Sequence, residues 1–304
     1  MYDEMTIGAY FLAGGAALKE LSGRKRRWKR LIIAIAFFFL AFFVFFQPLV
    51  HVEGAGKRAD CQRKDIQKVA AQQKLEDTDY QLLFEQTGLT KEAVDAIREK
   101  KTYQIKEFLR FQKAYLGEWE SECCSTSLFT KEDRLRRKHW KSVPLAPLED
   151  GDIILSFSSH SLGWRHGHAG LVIDAEKMLT LEAVMPGENS EIKDLAHWQT
   201  YSNFLVLRLK GVPERERKAI AEYAEQNLVH IPYSLTSGVF GKRSGAEEKL
   251  RSAQCAYLIW YAFYHFGYDL DSDGGHLVTV LDLARSSKLE LIQMFGLTPE
   301  TWKE

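Results

Sequence analysis

The stretch "SAQCAYLIWYAFYHFG", Ser252–Gly267, is apolar on nearly every face once wound into a helix. Such a helix cannot lie on a surface. The rest of the chain must enclose it, and Gly267 is placed to end it. With 304 residues, 45% of them apolar, there is material for one large domain or two small ones built around that helix. It also carries Cys255. If Ser252 is the N-cap, Cys255 falls at about the third helical position, where the helix dipole and free backbone N–H groups favour a thiolate. A free cysteine in a buried helix is equally an ordinary small hydrophobe, so the helix alone does not decide its role.

The segments before it read as sheet. "DIILSF", "HAGLVI", "MLTLEAV" and "FLVLRL" are short β-rich runs between turns, followed by a helix over Pro213–Leu228. The second run opens with "GWRHGH", where His166 and His168 stand one residue apart. On a strand, that spacing points both imidazoles to one face. They could be metal ligands, a base serving a nucleophile from elsewhere, or polar residues at a strand start. The chain has no H-E-x-x-H or C-x-x-C to complete a zinc site. "DLDSDGG", Asp269–Gly275, begins like a calcium loop, but its twelfth position is Val280 and Asp282 comes two residues late. It reads as a solvated turn.

Charge is balanced overall but not evenly. Residues 1–50 hold seven Lys/Arg against three Asp/Glu, leaving the remainder net acidic by four and giving no reason to expect nucleic-acid binding. "GRKRRWKR" sets six cations before "LIIAIAFFFLAFFVFFQPLV", an uncharged run, Leu31–Val50, long enough to cross a bilayer. This predicts an uncleaved single-pass anchor in the cell membrane. Residues 1–30 would form a cytoplasmic basic segment, 31–50 the span, and everything after it would be extracytoplasmic.

Residues 51–146 read as a helical region and connector. Apolar residues recur at three-to-four spacing, Thr90 is a plausible N-cap, and the charged stretch Lys131–Lys141 links to a Pro/Gly-marked boundary near residue 147. An exported chain can form disulfides, and Cys61 with Cys123 or Cys124 is the expected pair if Cys255 stays free. A vicinal bridge between Cys123 and Cys124 would be strained.

The order "GDIILSF…HGHAGLVI…LEAV", then "CAYLIWYAF…GYDLDSDGG…VTVLDLARS", resembles the permuted papain-like cysteine amidases. These are the YiiX/YycO-like, circularly permuted branch of the NlpC-type cell-wall hydrolase superfamily. The resemblance covers roughly residues 147–295 and rests on the histidine strand preceding the cysteine helix. It implies an α+β fold, with an antiparallel sheet packed on the cysteine-bearing helix, and a catalytic domain over 147–304. It further implies Cys255 as nucleophile, His168 (in "HAGL") rather than His166 as base, and Glu182 (in "TLEAV") as the orienting acid. Tyr233, in "IPYSL", matches a position near the cysteine in relatives, and His166 would line the cleft entrance. The oxyanion would be held by the Cys255 N–H and a nearby donor.

A thiol protease or amidase with no cofactor and no metal follows from that resemblance, acting on cell-wall peptides or on a lipid-linked acyl group. A non-catalytic binding module is the alternative of another class. One geometric condition attaches to Glu182: it must share a sheet face with His168. An odd-length hairpin loop after "HAGLVI" satisfies this, whereas an even loop without a bulge would turn Glu182 away and leave Asp174 or His197 as substitutes.

Overall fold

The computed structural model describes residues 26–42, 56–100, 104–127, 130–140, 143–161, 164–237 and 249–298. The chain divides into two units, residues 1–50 and 51–304. In the first, helix α1 spans residues 26–42 and is exposed throughout. The expected membrane span is corrected here. Among the described residues no helix is long and apolar enough to cross a membrane. The run is helical as far as residue 42, and residues 43–50 lie outside the described residues. The single-pass topology and the cell-membrane localisation lose their support with it.

The second unit begins with four helices, α2 (Gln67–Ala70), α3 (Asp77–Thr87), α4 (Lys91–Glu99) and α5 (Gln104–Tyr115), as the periodicity predicts. They pack through Leu83, Val94, Ile97, Phe108 and Phe111. Thr90 does sit at the N-cap of α4, but its hydroxyl makes no capping bond. It donates instead to the Leu291 carbonyl at 2.7 Å, tying the helices to the sheet beyond. The expected disulfide is absent from the described residues: all four cysteines are free. Cys61 makes local contacts with the Glu85 carbonyl and Gln86.

The first part of the charged connector, as far as Leu135, proves to be strand. β1 (Ser121–Ser125), β2 (Thr130–Leu135) and β4 (Ser159–Ser161) form a three-stranded antiparallel sheet. "TKEDRL" hides a strand because its inward carboxylates are neutralised rather than absent: Glu132 pairs with Arg134 and Asp133 with Arg165.

The main sheet has six antiparallel strands in the order β7-β6-β5-β3-β8-β9. These are β3 (Ile153–Ser156), β5 (His168–Asp174), β6 (Leu179–Glu182), β7 (Glu191–Asp194), β8 (Phe204–Leu209) and β9 (Leu289–Phe295). Helices α6 (Glu214–Asn227) and α7 (Cys255–Tyr264) pack against β5, and α8 (Val280–Arg285) packs on α7. Covered this way, β5 shows a continuous apolar run rather than alternation. Helix α7 is buried from Cys255 to Phe263, so its all-round apolar surface is met by all-round packing. Its N-cap is Gln254, not Ser252. The Gln254 side chain accepts from the Ala256 N–H, which makes Cys255 the first helical residue.

The β5–β6 connection differs from expectation in an instructive way. Four residues, 175–178, separate the strands, an even number, but a bulge between Val172 and Asp174 shifts the register by one. Glu182 therefore pairs with Gly170, two residues from His168 and on the same face.

Candidate active site

Three elements meet on that face. β5 delivers His168, β6 delivers Glu182, and the helical turn Leu195–Thr200 lays the Trp198 ring over the imidazole at 5.2 Å and 8°. Gly170 makes this stacking possible, because a Cβ there would come within 2.8 Å of the Trp198 ring and 3.3 Å of the Glu182 side chain. The His168 Nε2 meets Glu182 Oε2 at 2.7 Å. The other carboxylate oxygen accepts from the Thr180 hydroxyl at 2.6 Å and the Trp198 indole at 2.9 Å, with His197 Nε2 at 3.3 Å. Glu182 is only 1% exposed yet has four polar partners, so its orientation is over-determined.

Cys255 enters from the helix layer and is 7% exposed. Together with Glu182, it favours the protonated form of His168. With Nε2 committed to Glu182, Nδ1 is the ring nitrogen left for another partner. Burial opposes a charge on His168, but Cys255 and Glu182 outweigh it and hold its pKa up to about 10. Burial also opposes charge on Glu182, but His168 and His197 together hold it well below the usual carboxylate range. The imidazolium–carboxylate pair is thus the stable state at neutral pH.

The thiol opens on a cleft of roughly 370 Å³, open to solvent. Its polar wall is His166, Tyr233, Gln254 and Cys255, and its apolar wall includes Trp164, Leu235, Leu277, Val278 and Val280. Burial, followed by the neighbouring Cys255, pushes the Tyr233 phenol well above its ordinary range, so it stays protonated and able to donate. His166 does not share a face with His168. Gly167, at φ +71°, turns the chain between them, and His166 hydrogen-bonds the Ser161 hydroxyl at 3.0 Å outside the strand.

The five residues anticipated from sequence are therefore found around one imidazole and its cleft. Trp198, Thr180 and Gln254 were not anticipated. A tryptophan in a helical turn and a threonine mid-strand carry no chemical signature in sequence, and they matter only because of what the fold sets beside them.

Among the described residues, three clusters of donor atoms could hold a metal: His168/Glu182/His197, Asp271/Asp273/Asp282 and Cys123/Asp133/His160. In the first, a metal would have to replace the 2.7 Å hydrogen bond that Glu182 makes with His168. In the second, Asp282 is already spent capping α8. Asp269, the first residue of the half-motif, accepts from the Trp260 indole.

No protein-family model and no curated protein matches the chain. Among solved structures it is similar to the crystal structure of the metalloprotein yiiX from Escherichia coli O157:H7. That likeness has 14% identity and a TM-score of 0.36, covering 48% of this chain and 97% of that one. It is a weak neighbour, bearing the name of the family that the sequence resembles. That protein is described as a metalloprotein, a different description from the thiol protease expected of this chain.

Proposed function

We propose that residues 147–304 form a permuted papain-like domain that hydrolyses or transfers an acyl group through a thioester on Cys255. One observation carries this reading: the buried His168 imidazole is held by the Glu182 carboxylate at 2.7 Å, and Cys255, at the start of the helix packed on its strand, favours its protonated form. The order of elements, histidine strand before cysteine helix, supports the permuted arrangement.

In the proposed reaction the proton of the Cys255 thiol already rests on His168, and the resulting thiolate attacks an amide or ester carbonyl. The oxyanion so formed faces the α7 N-terminus, whose first N–H groups have no intrahelical partner, and the Tyr233 hydroxyl is a second donor nearby. His168 returns the proton to the departing amine or alcohol as the carbonyl re-forms. Water, or another acceptor, then gives its proton to His168 and attacks the thioester, releasing the acyl product and the thiolate. Glu182 remains ionised throughout and holds the imidazole in register. The apolar cleft wall favours an apolar acyl group over the peptide amides that the resemblance also implies.

Iodoacetamide labelling of the full chain, read at Cys255 by peptide mass across pH, tests the pair. The expected result is alkylation persisting well below pH 8.5, the ordinary thiol range, and moving up to it in His168→Gln. Identical profiles in both proteins would overturn the reading.

A further inference from the structure

The smaller sheet holds a second set of chemically capable side chains. Cys123 on β1 stands directly opposite Asp133 on β2. His160 on β4 stands opposite Lys131, two residues from Asp133 and therefore on the same face. His160 and Asp133 are each 1% exposed, while Cys123 is exposed. The His160 Nε2 lies 3.9 Å from the Cys123 sulfur and 3.8 Å from Asp133 Oδ1, and the three donor atoms all fall within 4.8 Å of one another. His160 Nδ1 has no hydrogen-bond partner among the described residues.

From these distances we propose that Cys123, Asp133 and His160 form a site for a thiophilic divalent cation, zinc being the natural occupant. A nitrogen–oxygen separation of 3.8 Å is too long for a hydrogen bond. Zinc bond lengths of about 2.0–2.3 Å set tetrahedral ligand edges of about 3.3–3.7 Å, so the two edges that include His160 need to close by only a few tenths of an ångström. Thiolate, imidazole and carboxylate together are a zinc donor set, and hard cations such as magnesium or calcium would not choose it.

A catalytic relay is the competing use of the same residue types, and the geometry opposes it. A relay needs thiol and acid on different nitrogens of the ring, whereas here both converge on Nε2. Arg165 contacts the other Asp133 oxygen at 2.9 Å and donates to the Phe157 carbonyl, fixing the carboxylate for one-oxygen ligation. Exposure on the Cys123 side leaves the fourth position to water. The bound ion would pin the β1–β2 hairpin to β4.

The test is cobalt titration of the full chain in reductant, followed by zinc competition. The expected result is one equivalent of cobalt with a thiolate-to-cobalt charge-transfer absorption, displaced by zinc. The band should be lost in Cys123→Ser and kept in Cys255→Ala and in Cys61→Ser/Cys124→Ser. Because Cys123 is exposed, its serine variant should fold, and circular dichroism checks that. Arg165→Gln should weaken affinity by roughly 10–100-fold, as loss of an outer-shell partner does. Absence of the band, or its survival in Cys123→Ser, would overturn the site. Neither result touches the Cys255 proposal, which is read by alkylation.

Discussion

Two cysteine–histidine–carboxylate sets lie in one structural unit, and they differ in which layers of the fold supply their side chains. Around His168, the acid comes from the sheet and takes Nε2, while the thiol arrives from a helix packed against the sheet. Around His160, all three side chains rise from one face of one sheet. They run in parallel and meet at a single nitrogen. Under the two proposals, identical residue types serve proton transfer in one place and an ion in the other. The arrangement of layers makes the difference, and composition does not.

The largest expected effect separates the two cysteines. Cys255→Ala should abolish turnover of activated esters with apolar acyl chains, by roughly 10⁴-fold or more where a nucleophile is removed. Cys123→Ser should leave that rate within a factor of two or so of wild type, the ordinary scatter for a surface change. Equal losses in both variants, measured as initial rates, would mean that the sets are not independent.

Next in size is Glu182→Gln. Removing one partner of a buried ion pair destabilises by about 3–5 kcal/mol. Here the loss should depend on pH in a set direction. His168 is raised, so its contribution is full below its ordinary 6.5 and fades as pH climbs toward about 10. Glu182 is depressed, so its contribution is full above its ordinary 4.5 and is lost as pH falls below it. The difference in urea-unfolding free energy between wild type and Glu182→Gln should therefore peak between pH 4.5 and 6.5 and shrink on both sides. A difference flat across pH would show that the carboxylate acts by packing and not by charge.

Much of the first set was legible in sequence, and little of the second. An enclosed helix announces itself by apolar residues on every face, and "HAGLVI" and "LTLE" announce strands by composition, so Cys255, His168 and Glu182 could be placed on their elements. What failed was local. The helix starts at Cys255 because a glutamine side chain caps it, which no ranking of cap residues favours. The bulge that restores the His168–Glu182 face is a backbone irregularity with no residue signature. "KEDRL" read as a connector because charge normally marks solvent, and only its cross-strand partners show why it is buried. The polybasic–apolar N-terminus was the most confident-looking signal and gave the membrane span that the described helix does not sustain.

Gly170→Ala probes the space between these parts. The added methyl would press on the Trp198 ring at 2.8 Å, and overpacking of this kind costs about 1–3 kcal/mol. Because the ring stacks on His168, the low-pH alkylation of Cys255 should weaken together with thermal stability. The cobalt band of the other set should not move. Destabilisation with unchanged Cys255 labelling would show that Trp198 only fills space.

The smallest expected effect sharpens the comparison most. His197 reaches Glu182 at 3.3 Å, but its side chain is 26% exposed and its Nδ1 is bonded to the Asp194 carbonyl. Glu182 keeps Thr180, Trp198 and His168 without it. Solvent screening holds such a pair to about 1 kcal/mol or less. His197→Gln should then shift the pH midpoint of Cys255 alkylation by less than about 0.7 unit, the equivalent of that energy. A shift as large as that from losing His168 would mean that Glu182 sits between two equal imidazoles. The first set would then converge on its carboxylate much as the second converges on His160, and the division between relay and ion site would have to be redrawn.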